Sequence, residues 1–243
     1  MVTIGENDMS ALLLKNEDFR LVEPHIYSVL PDNETGNTYD TRFGYIYDWV
    51  ACNPIYNRLF WGYSVEIFVK IAHDALRSSA QGKVLDLGCG SLAFTAKTYI
   101  QYSDRPVVLI DQSLKMLRIS KSRLIKINEK FPANMVFLHA DALRLPFREK
   151  SFQTIISENL LHCLDDTSNM LKELKDVLSE NGKMYFTTLI KGNRLADRYL
   201  DALAKGGKLV PRSMEDHQAV FNQVGMAIKK GINGNMASIY YEA

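Results

Sequence analysis

Between Gly82 and Ile190 the chain alternates short apolar runs with longer amphipathic stretches. KVLDL (83–87), PVVLI (106–110), MVFLHA (135–140), FQTIIS (152–157) and KMYFTTLI (183–190) have the length and β-branched content of buried strands. The stretches between them repeat apolar residues at helical spacing. Residues 92–101 suit a helix. Ser113 is placed to cap the next, LKMLRISKSRLIKINEK (114–130), and MLKELKDVL (170–178) is a third that stops at the Asn181-Gly182 pair. MAIKKGINGNM and ASIYYEA (226–243) predict an antiparallel hairpin turning at Asn233-Gly234. Strands alternating with helices predict an α/β, doubly wound, mostly parallel seven-stranded sheet, with helices on both faces and the antiparallel hairpin at its end.

Upstream of Gly82 the pattern is less regular. Residues 11–30 hold apolar positions without a clean period, and PDNETGN (31–37) reads as a turn. Residues 39–64 are dense in Tyr, Phe and Trp, with Asn53-Pro54 at a helix boundary. VEIFVKIAHDAL (65–76) places Val65, Phe68, Ile71, Ala72, Ala75 and Leu76 on one helical face. The expected organisation is one domain over 1–243. Residues 1–80 form an N-terminal extension and helical lid, 81–190 a ligand-binding core, and 191–243 a substrate-side segment with the hairpin.

Ligands of a doubly wound sheet sit outside the carboxyl ends of its strands. The polar residues there are Asp86, Gly88, Cys89, Gly90 and Ser91 after the first strand, Asp111 after the second, Asp141 and Ala142 after the third, and Ser157, Glu158 and Asn159 after the fourth. Gly88 and Gly90 permit a tight turn with close approach to the backbone. Asp111 suits the two hydroxyls of a ribose. A dinucleotide fingerprint would put its third glycine at Ala93. Asp86 in the turn would repel a pyrophosphate but suits a ligand carrying ammonium and sulfonium charges.

Composition narrows the class rather than the site. The 243 residues carry 29 Lys and Arg against 28 Asp and Glu, a net +1, which supplies no general attraction to nucleic acid. No apolar run reaches the length of a membrane span, and the polar, acidic start is unlike a secretory signal. Cys52, Cys89 and Cys163 are sparse and unpaired in spacing, as in a reduced cytoplasmic protein without a metal site.

VLDLGCGS, VVLIDQSLKML, HADALRLPFREKSFQTIISENLLHCLDD and LSENGKMYFTTL stand in the order and approximate spacing of the class I S-adenosylmethionine-dependent methyltransferases. The DALRLPF…SF segment resembles the small-molecule branch that includes the ubiquinone/menaquinone C-methyltransferases. The tyrosine-rich block is similar to a segment preceding the core in some of that branch. The resemblance implies that Gly88, Cys89 and Gly90 line the methionine part of S-adenosyl-L-methionine, with Asp86 at its amino-acid end. Asp111, beside Gln112, would hold the ribose, and Asp141 the adenine amino group, with Ala142 and Leu143 framing the ring. Glu158 and Asn159 would border the methyl group and the acceptor, and Tyr39 and Tyr47 would close over the cofactor. S-adenosyl-L-homocysteine is the implied product. Three positions depart from the family pattern: Leu92 stands at its third loop glycine, Gln153 at an acid after the SF pair, and His162 is single where relatives have two. Leu92 is expected to start the next helix and pack inward.

The acceptor expected is a small molecule, with SENL replacing the NPPY-type tetrapeptide of nucleic-acid amine methyltransferases. A macromolecule methyltransferase, a non-catalytic cofactor-binding or regulatory subunit and a nucleotide-dependent oxidoreductase are the rival readings. Methyl transfer from a sulfonium needs alignment and dryness more than a catalytic side chain, so no catalytic residue is assigned. His162 and Glu158 are the weak candidates, and Cys89 reads as loop filler. Glu215–His217 reads as a helix start rather than a metal-ligand cluster.

Overall fold

The computed structural model describes residues 19–31, 53–78, 82–102, 104–192, 194–205 and 209–243. Tyr39 and Tyr47 lie outside these. The five apolar runs form the central parallel strands β3 (Val84–Leu87), β4 (Val107–Asp111), β5 (Met135–His139), β6 (Phe152–Glu158) and β7 (Leu178–Leu189). The hairpin supplies β8 (Lys229–Asn233) and β9 (Met236–Glu242), and β9 runs antiparallel to β7. These are the seven expected strands. Two short ones, β1 (Arg20–Glu23) and β2 (Ile26–Ser28), extend the sheet to nine in the order β1-β2-β5-β4-β3-β6-β7-β9-β8. They come from the segment without a readable period, because strands of four and three residues are too short to show alternation.

Helices α1 (Glu66–Arg77), α2 (Ala96–Gln101) and α3 (Leu114–Asn128) cover one face, and α4 (Thr167–Val177) and α6 (Met214–Gln223) the other. Alternation along the strands explains the two cores. Val84, Val107, Leu109 and Phe137 pack with Ala75, Tyr99 and Leu117, while Leu85, Leu87, Val108 and Ile110 pack with Leu171, Leu174 and Phe221. Helix α5 (Arg194–Lys205) sends Ala196 and Leu200 to a third cluster with Trp61, Tyr63, Phe68 and Met236. The caps follow the sequence: Ser113 Oγ accepts from Met116 N–H, Asn53 caps Pro54–Tyr56, and Ser213 with Asp216 forms a capping box that accounts for the Glu215–His217 run.

Three local expectations are corrected. Helix α4 stops at Val177, not at Asn181-Gly182. That pair instead fills a bulge in β7, where the register against β6 jumps from Phe152↔Leu178 to Thr154↔Lys183. Leu92 does not begin a helix, since α2 starts at Ala96. The hairpin turn is shifted by one residue, with Asn233 paired to Met236 across Gly234 and Asn235.

Candidate active site

The parallel strands present their carboxyl ends together at β3, the switch point flanked by β4 and β6. Just past β3, the N–H groups of Gly88 and Cys89 both donate to Ile110 O, at 2.9 and 2.8 Å, which folds the chain back over β4. Gly88 and Gly90 have φ of 74° and 54°, the left-handed region in which a side chain is strained. A Cβ at Gly88 would meet the Leu160 side chain at 3.1 Å, whereas one at Gly90 would meet nothing within 4 Å. At Gly88 a side chain would be both strained in backbone and crowded against Leu160, whereas Gly90 leaves open space above the loop.

Asp111, the last residue of β4, is tied to this turn. Its Oδ2 accepts from Gly90 N–H at 2.9 Å and its Oδ1 from Ser113 N–H at 2.8 Å. Helix α3 fastens the loop from behind, with Ser120 Oγ donating to Gly90 O at 2.6 Å and the Arg123 guanidinium to Ser91 O. Neither residue stands out in the sequence, because each reads as the polar face of an amphipathic helix.

Asp86 lies within β3 rather than in the turn, and it is buried. It shares a face with Val84, and the fully buried Tyr99 of α2 donates its hydroxyl to Asp86 Oδ2 at 2.7 Å. Burial raises the Asp86 carboxyl to about 7, the Tyr99 bond opposing that and the nearby Asp111 charge adding to it. Tyr99 escaped the sequence reading; its one signal was a phenol at an inward position, which needs a partner when buried.

Glu158 ends β6, and Asn159 follows with φ 58° while its N–H donates to Thr187 O at 2.9 Å. Burial, with Asp86 nearby, pushes the Glu158 carboxyl well above the usual range. Among the described residues, Glu158 Oε1 and Asn159 Oδ1 are sealed from solvent and have no hydrogen-bond partner. Asp141, two residues beyond β5, spends one oxygen on a turn, Oδ1 accepting from Leu143 N–H at 2.9 Å. Ala142 and Leu143 are half-buried against the core. Gln112 is exposed, and its carbonyl accepts from His139 Nε2 at 3.0 Å while Ser28 Oγ holds His139 Nδ1 at 2.9 Å. His139 thereby links the N-terminal strand β2 to the site, a contact that no local motif announces.

The remaining candidates have quieter surroundings. Burial, followed by the Asp111 and Asp86 charges, pushes the Cys89 thiol up, so it is no nucleophile. His162 is buried, accepts Leu189 N–H on Nδ1 at 3.2 Å, and is driven to about 3 by burial with His217 and Arg212 nearby. Gln153 lies at the other end of β6, bonded to Ser179 Oγ at 2.7 Å. Among the described residues no three His, Cys, Asp or Glu side chains gather to hold a metal.

A loop with open space over Gly90, three acids at successive strand ends and two orphaned buried oxygens fits a nucleoside carrying positive charge. A family model described as a methyltransferase domain matches residues 78–239. The chain belongs to this family of S-adenosylmethionine-dependent methyltransferases. Similar proteins include a malonyl-[acyl-carrier protein] O-methyltransferase of Legionella pneumophila, 28% identical over 45% of this chain and 37% of that one. The ubiquinone/menaquinone biosynthesis C-methyltransferase of Pseudomonas fluorescens is 24% identical over 70% and 68%. An uncharacterised chloroplastic methyltransferase of Arabidopsis thaliana is 29% identical, with 35% of its length covered, so this chain spans little over a third of the first relatives it matches. Among solved structures, an S-adenosylmethionine-dependent methyltransferase of Aquifex aeolicus superposes with a TM-score of 0.58 at 17% identity, covering 80% of this chain and 96% of its own. The geranyl diphosphate C-methyltransferase of Streptomyces coelicolor, crystallised with S-adenosyl-L-homocysteine, gives 0.57 at 11% identity over 73% and 75%. The cofactor of the methyltransferase family is thus S-adenosyl-L-methionine. No helix among the described residues is long and apolar enough to cross a membrane.

Proposed function

We propose that this chain transfers a methyl group from S-adenosyl-L-methionine to a small-molecule acceptor. The observation that carries the reading is the placement of Asp86, Asp111 and Glu158 around the Gly88–Gly90 turn at the switch point of the sheet. Asp111, at the end of β4 beside the turn, accepts the ribose hydroxyls. Asp86 faces the ammonium end, and Asp141 receives the adenine amino group on Oδ2, with Ala142 and Leu143 beside the ring. The bound cofactor supplies an electrophilic methyl carbon on a sulfonium. The protein's part is to align that carbon and exclude water, effects that supply on the order of 7–11 kcal/mol.

The acceptor side is assigned to the aromatic block ending at Tyr63 and to residues 190–212. Phe60 packs edge-on to Tyr199 of α5 at 5.2 Å, so these two segments meet in one aromatic wall. Relatives named for ubiquinone/menaquinone biosynthesis support an acceptor of small organic type.

Calorimetry with S-adenosylmethionine, S-adenosylhomocysteine and NAD tests the cofactor, with binding of the first two expected. Binding of NAD alone would end the reading. Asp111→Ala should weaken S-adenosylmethionine by about tenfold or more, the size of a lost charged hydrogen bond. A labelled-methyl screen over a metabolite panel then identifies the acceptor, and transfer to none of them favours a cofactor-binding subunit.

A further inference from the structure

We propose that the acceptor offers an O–H or N–H group to Glu158, is methylated on that heteroatom, and gives its proton to Glu158 Oε1. The proposal rests on the small-molecule methyltransferase reading and names the chemical class of its acceptor.

The geometry at the end of β6 points there. Glu158 and Asn159 are consecutive, and the left-handed turn at Asn159 is pinned by its N–H to Thr187 O at 2.9 Å and Thr187 Oγ1 at 3.2 Å. Each residue contributes one buried oxygen without a donor among the described residues. A buried acceptor left without a donor is destabilising, and both orphans at this strand end are oxygens. The group that satisfies them must donate hydrogen. A carboxylate acceptor has no hydrogen to donate and would set a further negative charge against Glu158, Asp86 and Asp111.

The nearby alternatives to Glu158 as a base are occupied or mismatched. His162 uses Nδ1 to accept a backbone N–H, and the ring is too weakly basic in its buried setting. Cys163 Sγ donates to Asn159 O at 3.6 Å, and burial, then the Asp111 charge, pushes the thiol up to about 12. Tyr99 is committed to Asp86. The Glu158 carboxyl, pushed up by burial and by Asp86, is a stronger base than an ordinary carboxylate once ionised. A sulfonium beside it favours that ionised form.

The step balances. The heteroatom's lone pair forms the new bond to carbon, the carbon–sulfur pair stays on sulfur, and the heteroatom's proton moves to Glu158 Oε1. One positive and one negative charge disappear together.

The test measures wild type, Glu158→Gln and Glu158→Asp with labelled S-adenosylmethionine against phenols, alcohols and arylamines, with carboxylic acids and enol-type carbon acids alongside. Transfer to oxygen or nitrogen of the first group is expected. It should fall by about 100-fold or more in Glu158→Gln, with S-adenosylmethionine affinity changed far less, and recover at least in part in Glu158→Asp. Independently of turnover, calorimetry at neutral pH in two buffers of different ionisation enthalpy should show more proton release with S-adenosylmethionine than with S-adenosylhomocysteine. That difference should vanish in Glu158→Gln. Methylation of carboxylates or carbon alone, or a Glu158→Gln enzyme within about tenfold of wild type, would overturn the proposal while leaving the methyltransferase reading intact. Failure of wild type to bind S-adenosylmethionine would overturn both.

Discussion

Leu92 adopts φ 51°, and its side chain is buried in the cluster that holds Ala75, Ala96 and Tyr99. Two opposing effects act there. A left-handed backbone costs a side-chain-bearing residue about 1–2 kcal/mol, whereas burying a leucine gains roughly 1.5–3 kcal/mol and its removal leaves a void. Leu92→Gly should therefore lower stability by about 1–3 kcal/mol, read as a fall in denaturant midpoint. A gain in stability would show that the backbone strain dominates. Inward packing, not helix initiation, is what the leucine contributes at this left-handed position. At Asp86 the controlling partner is Tyr99, whose hydroxyl opposes the upward push of burial. Tyr99→Phe removes that opposition, so the Asp86 carboxyl rises above about 7 and its charge is present only at higher pH. The pH below which S-adenosylmethionine affinity drops should move upward in that variant, as calorimetry between pH 6 and 9 would show. An unmoved profile would separate Asp86 from the cofactor.

Helix α6 and the turn after β6 bring two buried histidines close together. His217 is fully buried with neither ring nitrogen bonded among the described residues, and burial with Arg212 nearby lowers it to about 4. His162 is lowered to about 3. In the unfolded chain both take up protons near the ordinary value of 6.5, while the folded protein resists until pH falls to about 4 and 3. Their contribution is complete above the unfolded value and is lost progressively as pH falls toward the folded ones. The span at His217 corresponds to about 3 kcal/mol. Relative to wild type, His217→Met should gain in melting temperature as pH falls from 7.5 to 5, because a proton site that favours the unfolded chain is gone. A constant difference between the two proteins across that range would assign no acid sensitivity to His217. Elements of this kind explain what was readable in advance. Strands β3 to β7 and helices α1, α3 and α4 were, because each carries its own period and, in α3, a capping serine. The start of α2 and the end of α4 were not. A left-handed leucine and a bulged strand decide them, and both depend on neighbours distant in sequence.

At the scale of the molecule, the acids at the strand ends were legible because topology alone gathers them. Their supports were not: Tyr99, Ser120, Arg123 and His139 act across 13 to 111 residues of chain and carry no local signature. Arg105 belongs with them, its guanidinium bonding Ala75 O, Leu76 O and Thr154 Oγ1 and so fastening the end of α1 to β6. The pair β1–β2 was equally hidden, yet it decides what the outer margin of the sheet exposes. Strand β2 pairs in parallel with β5 through Ile26↔Phe137, Tyr27↔Leu138 and Ser28↔His139. Without it, the row of amide and carbonyl groups along Met135–His139, five buried residues in succession, would lie open to any other chain. Deleting residues 1–28 should thus yield a protein that self-associates through strand addition, detected as light scattering that grows with concentration. A monodisperse truncated protein would refute this. The pair is in that sense a guard: nine residues take up the margin that β5 would otherwise present to a second chain.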